Sequence, residues 1–200
     1  MGDTVFVPGA RRVEATLDGS RDADACVVAC PPHPQHRGHR GDARLSAVSD
    51  HLTERDIACL RFDYGPWDEG RGEREDARNA LRWAADGYER VGVFGFSFGG
   101  SIAALAAATT EIEVFAVSLL APTAELECGL SAADALDDIV VPTQVVYGER
   151  DTTADWRPVV ERARENGMTV VELSADHFFV GKTDQVAEAA GEFLVASVRA

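Results

Sequence analysis

Apolar residues along this 200-residue chain fall into two kinds of pattern, and the two alternate. Short, predominantly apolar runs are typical of strands that are buried on both faces of a sheet. Longer segments whose apolar residues recur every three to four positions are typical of helices with one buried side. From about residue 24 onwards, strands are predicted at residues 25–30, 57–62, 91–94, 114–120, 143–147 and 169–173.

The segments between these runs predict helices. In residues 73–88 the apolar positions form one stripe with a 3.6-residue period. Residues 4–17 are predicted to form a two-stranded lead-in. Strands that alternate with helices predict an α/β protein, with one domain over residues 1–200 and a mostly parallel central sheet covered by helices on both faces. The other predicted helices are residues 42–55, an alanine-rich segment after Ser97, residues 156–164 and a C-terminal segment from about Val186.

The sharpest chemical signal is the string Gly95-Phe96-Ser97-Phe98-Gly99-Gly100, which lies between a predicted strand and a predicted helix. A Gly-x-Ser-x-Gly pattern at such a turn is typical of a nucleophile elbow, which exposes the serine hydroxyl above the sheet. The turn is strained and crowded, so the flanking glycines are needed. The alternative is a glycine-rich loop that cradles a phosphate, but neither Gly-Lys-Ser/Thr nor Gly-x-Gly-x-x-Gly is present.

A serine nucleophile needs a base, and the base needs a carboxylate that orients it. His177 follows the last predicted strand and Asp151 follows the strand at 143–147, so both lie where the carboxyl ends of strands meet. The chain order Ser97, Asp151, His177 is the order that enzymes with this elbow use. The simpler interpretations are a surface histidine and a turn or capping aspartate.

Other carboxylates compete for the role of Asp151. Asp155 is better placed than Asp151 to cap the helix predicted at 156–164, which leaves Asp151 free. Glu149 is a weaker candidate, and Asp176 is adjacent to His177 in sequence, where mutual orientation of side chains is poor.

The chain resembles the α/β-hydrolase superfamily, in particular small, lidless predicted hydrolases similar to dienelactone hydrolase. The resemblance implies a nucleophile at Ser97, an acid at Asp151, a base at His177, and an oxyanion hole with one donor from the backbone N–H of Phe98. A second donor is expected in the loop after the strand predicted at residues 25–30, and because Pro34 has no N–H it is predicted at Gln35. The matching stretches are residues 30–34, 60–65, 95–100, 147–151 and 176–179.

A cluster of basic residues at positions 33–40 allows three interpretations. Imidazoles at His33, His36 and His39 could bind a metal, but Pro34 and Gly38 oppose a helix there and no carboxylate partner is evident, so no metal is predicted. Arg37 or Arg40 could pair with an anionic substrate. A polar surface loop is the third interpretation. The predicted substrate-binding residues are His33, His36, Arg37, Tyr64, Trp67 and Phe178.

The net charge of −15 is unusual for a chain of this size. Acidic residues are spread along the chain, and 18 of its 19 basic residues other than histidine are arginines. This composition resembles that of proteins from salt-loving organisms, although an acidic mesophilic protein is the alternative. A fold equally stable in millimolar and molar potassium chloride would contradict the halophilic interpretation. An acidic surface argues against nucleic acid and anionic membranes as partners.

Cysteine usage and targeting signals complete the picture. Cys26, Cys30 and Cys59 lie in or beside predicted strands and are interpreted as core thiols. No signal peptide or membrane-spanning run is evident, so a cytoplasmic protein is expected.

The predicted function is hydrolysis of small esters or thioesters through an acyl-serine intermediate, with no cofactor. The alternative is a non-catalytic member of the fold that serves as a binding or scaffold protein. The oligomeric state cannot be predicted from the sequence.

Overall fold

The computed structural model describes residues 2–200 and contains one eight-stranded sheet and six α-helices. The strands are β1 (Asp3–Val7), β2 (Val13–Asp18), β3 (Ala25–Cys30), β4 (Ala58–Phe62), β5 (Arg90–Phe96), β6 (Ala116–Leu120), β7 (Thr143–Gly148) and β8 (Thr169–Leu173). The helices are α1 (Ala43–Thr53), α2 (Arg71–Gly87), α3 (Phe98–Thr109), α4 (Ala132–Ala135), α5 (Arg157–Glu165) and α6 (Thr183–Arg199).

The strand order across the sheet is β1-β2-β4-β3-β5-β6-β7-β8. The first two strands form an antiparallel ribbon, and β2 also runs antiparallel to β4. All other neighbours are parallel. After β3 the chain moves to one side to form β4 and then returns to place β5 on the other side of β3. The carboxyl ends of β3 and β5 therefore border the point where the winding direction reverses, which is where open α/β sheets place their ligands.

The core has two layers because each face of the sheet is covered by different helices. On one face, α1 and α6 pack through residues such as Leu45, Leu52 and Leu194. On the other, α2, α3, α4 and α5 pack through residues such as Leu81 and Ile102. Strand β3 is buried along its whole length because it contacts both layers.

The elements predicted from hydrophobic patterning are confirmed, with differences mainly at their ends. Gly167 follows the last turn of α5 with φ +69°, as the predicted end of that helix requires. The expectation that Asp155 caps α5 is wrong, because the helix begins after Trp156 with no side-chain cap. Strand β5 is longer than predicted, and residues 121–142 contain the short helix α4, which the pattern did not predict.

The predicted core thiols are buried. Cys26, Cys30 and Cys59 are inaccessible and unpaired, and burial raises the pKa of Cys59 to about 12. Within residues 2–200, no helix combines the length and the apolar character needed to span a bilayer.

Candidate active site

Ser97 occupies the sharp turn between β5 and α3. Its backbone has φ +56° and ψ −123°, a strained conformation for a residue with a side chain. A Cβ atom on Gly95 would overlap the carbonyl oxygen of Gly99, and one on Gly99 would overlap the carbonyl oxygen of Cys30 at the end of β3. Glycine is therefore required at both positions, and the turn has the geometry predicted for a nucleophile elbow.

The side chains of Ser97, His177 and Asp151 form a continuous chain of hydrogen bonds. Ser97 Oγ lies 2.9 Å from His177 Nε2, and His177 Nδ1 lies 2.7 Å from Asp151 Oδ2. With the carboxylate ionised, Nδ1–H donates to it, which leaves Nε2 free to accept the serine proton. His177 and Asp151 are buried, whereas Ser97 is half-buried at the mouth of the site.

Asp151 is held in place by its own loop as well as by His177. Its Oδ1 accepts hydrogen bonds from the backbone N–H groups of Thr153 and Ala154, at 2.8 and 3.1 Å. Burial favours the neutral acid, but the hydrogen bond from His177 and those from the two backbone N–H groups outweigh it and lower the pKa of Asp151. The turn interpretation and the orienting interpretation of Asp151 therefore both describe the same side chain.

The loops after β7 and β8 are joined by backbone hydrogen bonds, which brings Asp151 and His177 together. Glu149 N–H donates to the carbonyl of Leu173, and Arg150 N–H donates to that of Ala175. The side chain of Glu149 bonds Arg150 and Ser174 on the surface instead of approaching His177.

Phe98 begins α3, and its N–H lies in the first turn, where a helix has no internal acceptors. This N–H can donate to a ligand oxygen at Ser97, as the resemblance implies. Phe98 is itself buried, and its ring packs against those of His33, Tyr64 and Trp67.

The expected second donor, Gln35, does not fit this role. Residues Pro34–His36 form a short 3-10 turn in which Gln35 N–H donates to His33 Nδ1 at 3.3 Å, and the Gln35 side chain is exposed. His33, by contrast, lines both cavities that open at Ser97, and within residues 2–200 its own N–H has no protein acceptor. In this conformation the side chain of His33 folds back onto its own loop and accepts the N–H that was predicted as the second donor.

Two cavities meet at Ser97 and share His33, His36, Thr153 and His177. The first, of about 340 Å³, is here called the aromatic cavity and is walled by Trp67, Phe98, Glu125, Leu126 and Glu127. The second, of about 480 Å³, is called the basic cavity and is walled by Arg37, Arg44, Asp42, Phe96 and Phe178. Larger hollows occur elsewhere, such as one of about 860 Å³ beside β7 and β8, but they lie away from Ser97 and His177.

Most of the predicted substrate-binding residues line these cavities, but Tyr64 does not. Its hydroxyl donates to the carbonyl of Pro31 at 3.1 Å, and its ring packs edge-on against Phe98. Tyr64 therefore supports the wall from behind. Of the two arginines considered for an anion, Arg40 pairs with Asp63 and bonds Thr16, so only Arg37 reaches a cavity.

Arg44 is a functional candidate that the sequence did not reveal. From the first turn of α1 it donates to the carbonyl of Phe178 at 3.2 Å, and its guanidinium lies 4.4 Å from the ring centroid of Phe96. The Phe96 ring in turn lies 5.4 Å from that of His177. Arg44 thus connects α1 to the loop that carries His177, across a separation of 134 residues that no local pattern reports.

A second buried ionic network holds the segment that carries Trp67. Glu73 accepts hydrogen bonds from the N–H groups of Asp68 and Gly70, and Asp76 accepts one from the N–H of Gly65. Arg11 bonds Asp76 and approaches Glu73 at 3.5 Å. Both carboxylates are inaccessible to solvent, and together they fix residues 65–70 against α2.

The three histidines His33, His36 and His39 do not converge. His33 and His36 stack at 4.6 Å between ring centroids, whereas His39 Nδ1 accepts from the N–H of Gly41. In the part of the chain that the structure describes, no group of three His, Cys, Asp or Glu side chains is arranged to hold a metal ion.

A scan against models of known protein families and a search of curated proteins gave no match. Solved structures do match over nearly the whole chain. An α/β serine hydrolase homologue from Coxiella burnetii is 24% identical, with a TM-score of 0.82 and coverage of 96% of this chain and 97% of that one.

Two further structures agree. An α/β serine hydrolase without a lid from Xanthomonas campestris is 21% identical, with a TM-score of 0.82 and coverage of 100% and 96%. A Pyrococcus furiosus esterase is 17% identical, with a TM-score of 0.83 and coverage of 99% and 92%. The strand order, the parallel pairing and these matches together show that the chain has the α/β-hydrolase fold without a lid domain.

Proposed function

We propose that this protein is a serine hydrolase that cleaves small carboxylic esters or thioesters through an acyl intermediate on Ser97. The observation that carries the proposal is the unbroken chain of hydrogen bonds from Ser97 through His177 to Asp151, which ends at two open cavities. The similarity to serine hydrolases and an esterase supports the hydrolase class.

In the first half of the reaction, His177 Nε2 takes the proton from Ser97 Oγ as the oxygen attacks the substrate carbonyl. The tetrahedral intermediate collapses when His177 returns that proton to the leaving alcohol or thiol. In the second half, His177 activates a water that attacks the acyl-serine, and the acid product leaves with Ser97 regenerated. Asp151 keeps Nδ1 protonated and stabilises the imidazolium that forms in each half.

The negative oxygen of each tetrahedral intermediate needs donors close to Ser97. The Phe98 N–H is the first. The His33 N–H, which replaces the predicted Gln35, is the second, because His33 lines both cavities and its N–H is unused within residues 2–200. Removal of one such donor typically costs about 3–4 kcal/mol of transition-state stabilisation.

The rival hypothesis is a non-catalytic binding or scaffold protein with the same fold. The buried His177–Asp151 pair argues against it, because an orienting carboxylate has no evident use in a protein that does not need a base. The absence of nucleic-acid and membrane partners, the cytoplasmic location and the adaptation to high salt stay predictions.

A fluorophosphonate probe combined with a panel of p-nitrophenyl esters and acyl thioesters tests the proposal. Wild-type protein should be labelled at Ser97 and turn over at least one short-chain substrate, and Ser97→Ala should lose both activities. Ser197→Ala is the matched control because it removes a serine hydroxyl away from the site. Ser197 lies near the end of α6, next to Val198, which packs beside Gly92 at the opposite end of β5 from Ser97. Folded wild-type protein that is neither labelled nor active, at low or molar salt, would favour the binding protein.

A further inference from the structure

The two cavities that meet at Ser97 differ in the charge of the residues that line them. The basic cavity contains two arginines and one aspartate, whereas the aromatic cavity contains two glutamates and no arginine or lysine. Ser97 and His177 line both cavities, so a bound ester extends from the reacting carbonyl into surroundings of opposite charge. In a chain of net charge −15, a basic cavity beside Ser97 is unusual.

The arginines of this region differ in whether their donors are already used. Arg44 bonds Asp42 and the carbonyl of Phe178, and its remaining Nε is inaccessible to solvent. Arg40, just outside the cavity, is paired with Asp63 and Glu14. Both side chains are therefore already engaged in bonds that support the fold.

Arg37 is different. It is exposed, it lines the basic cavity, and within residues 2–200 its guanidinium has no ion pair or hydrogen bond. Its backbone, at φ +64°, ends the 3-10 turn. A planar fork of unused donors at this position matches a carboxylate or a phosphate, which it can bind through two parallel hydrogen bonds.

The aromatic cavity disfavours a carboxylate or a phosphate. Glu125 and Glu127 have no ion-pair partner among residues 2–200, and they border the cavity formed by Trp67, Phe98 and Leu126. Their carboxylates repel an anion, while the aromatic and aliphatic walls favour an uncharged apolar group. The two cavities therefore select a substrate with one anionic and one apolar part, and they fix the direction in which it binds.

We propose that the preferred substrate is an ester or thioester that carries a second, anionic group, a carboxylate or a phosphate. Arg37 binds this group in the basic cavity, and the apolar part of the substrate occupies the aromatic cavity. This inference rests on the proposed hydrolase function and adds the substrate class. Cleavage consumes one water and releases an acid and an alcohol or thiol, as described above.

A matched pair of substrates tests the inference: the p-nitrophenyl half-ester of glutarate, which is anionic, and its methyl ester, which is neutral. Wild-type protein should favour the anionic ester by at least about tenfold in kcat/KM, and this ratio should decrease as potassium chloride screens the charge. Arg37→Gln should reduce the ratio at least about tenfold. Arg12→Gln, which removes an exposed arginine on the β1–β2 ribbon, should leave it unchanged.

A binding arm does not require catalysis. Glutarate, inorganic phosphate or both should raise the melting temperature of Ser97→Ala, and the anion that does so identifies the preferred charged group. The same anion should cause no shift in the double variant that also carries Arg37→Gln. Equal kcat/KM for the two esters, or a ratio that Arg37→Gln leaves unchanged, would overturn the inference while ester hydrolysis itself stood. If neither ester is hydrolysed while the fluorophosphonate probe still labels Ser97, the inference fails and the proposed function stands; if the probe also fails to label Ser97, the proposed function fails. A melting shift that does not depend on Arg37, or no shift, would overturn the anion site.

Discussion

Two buried carboxylate networks in this molecule use similar groups and differ in what they face. In the first, Asp151 bonds His177, and His177 bonds Ser97, which opens onto two cavities. In the second, Glu73 and Asp76 bond Arg11 and the backbone of residues 65–70. The first network ends at a serine hydroxyl that faces the two cavities, whereas the second ends at backbone donors and a guanidinium.

The difference shows that burial of charge does not identify an active site by itself. Glu73 is as inaccessible as Asp151, but its bonds fix a loop, and no nucleophile or base lies among its hydrogen-bond partners. An active site requires a buried charge coupled to a proton that can move toward a cavity. The two networks should therefore respond differently to the same kind of substitution.

Asp151→Asn should have the largest effect, a loss of about 10⁴-fold in kcat, because the amide no longer selects the reactive tautomer of His177. Thr153 and Ala154 can still donate to the remaining side-chain oxygen, so the melting temperature should change little. Steady-state kinetics and circular dichroism measure the two effects. Asp155→Asn, in an exposed position on the same loop, is the control, and near-normal turnover of Asp151→Asn would mean that another carboxylate orients His177.

Glu73→Gln should show the opposite pattern. The amide turns a donor toward the N–H groups of Asp68 or Gly70, so the free energy of unfolding should decrease by about 3 kcal/mol. For a chain of this size that corresponds to a decrease of about 6–12 °C in melting temperature. The folded fraction should retain most of its kcat. Glu75→Gln, a surface change on α2, is the matched control, and a kcat loss in Glu73→Gln comparable to that of Asp151→Asn would erase the distinction between the networks.

Arg44→Ala should reduce kcat by an intermediate amount, although Arg44 is not hydrogen-bonded to Ser97, His177 or Asp151. Loss of the bond to the carbonyl of Phe178 frees the His177 loop, and a misplacement of about 1 Å can reduce kcat about 10²-fold. The loss should appear in kcat more than in KM, and Arg44→Lys should restore part of it. Arg55→Ala, which removes an ion pair with Glu192 at the other end of α1, should leave kcat unchanged, and an equal loss there would indicate general destabilisation.

The smallest effect concerns pH and His33. Burial and the neighbouring His36 lower the pKa of His33, against the opposing influence of Glu127 and Glu73. Because the unfolded chain then binds this proton more readily, stability falls as the pH decreases from above 6.5 through the folded-state pKa. His33→Gln should flatten this part of a plot of unfolding free energy against pH. An unchanged slope would show that other groups cause it.

The sequence predicted the parts of the site that depend on local pattern and strand order. The Gly95–Gly100 string dictates its own turn, and polar residues after β7 and β8 must meet at one edge of a parallel sheet. The bond from Gln35 to His33 and the position of Tyr64 behind Phe98 depend on side-chain rotamers in a loop, which no periodicity encodes. The contact of Arg44 could not be predicted for a related reason, because its partner Phe178 lies in a loop that is distant in sequence.

The walls of the two cavities come largely from connections outside the sheet. Residues after β3 form the basic side, and residues 121–142 supply Glu125, Leu126 and Glu127 on the other. Ser97 directly follows β5, and the loops that carry Asp151 and His177 follow β7 and β8, so the sheet sets the spacing of the three residues, with Arg44 as an added support. Under the proposed function, replacement of residues 121–142 should thus change which molecules are accepted and leave the chain of hydrogen bonds intact, and this makes the scaffold a modular starting point for enzyme engineering.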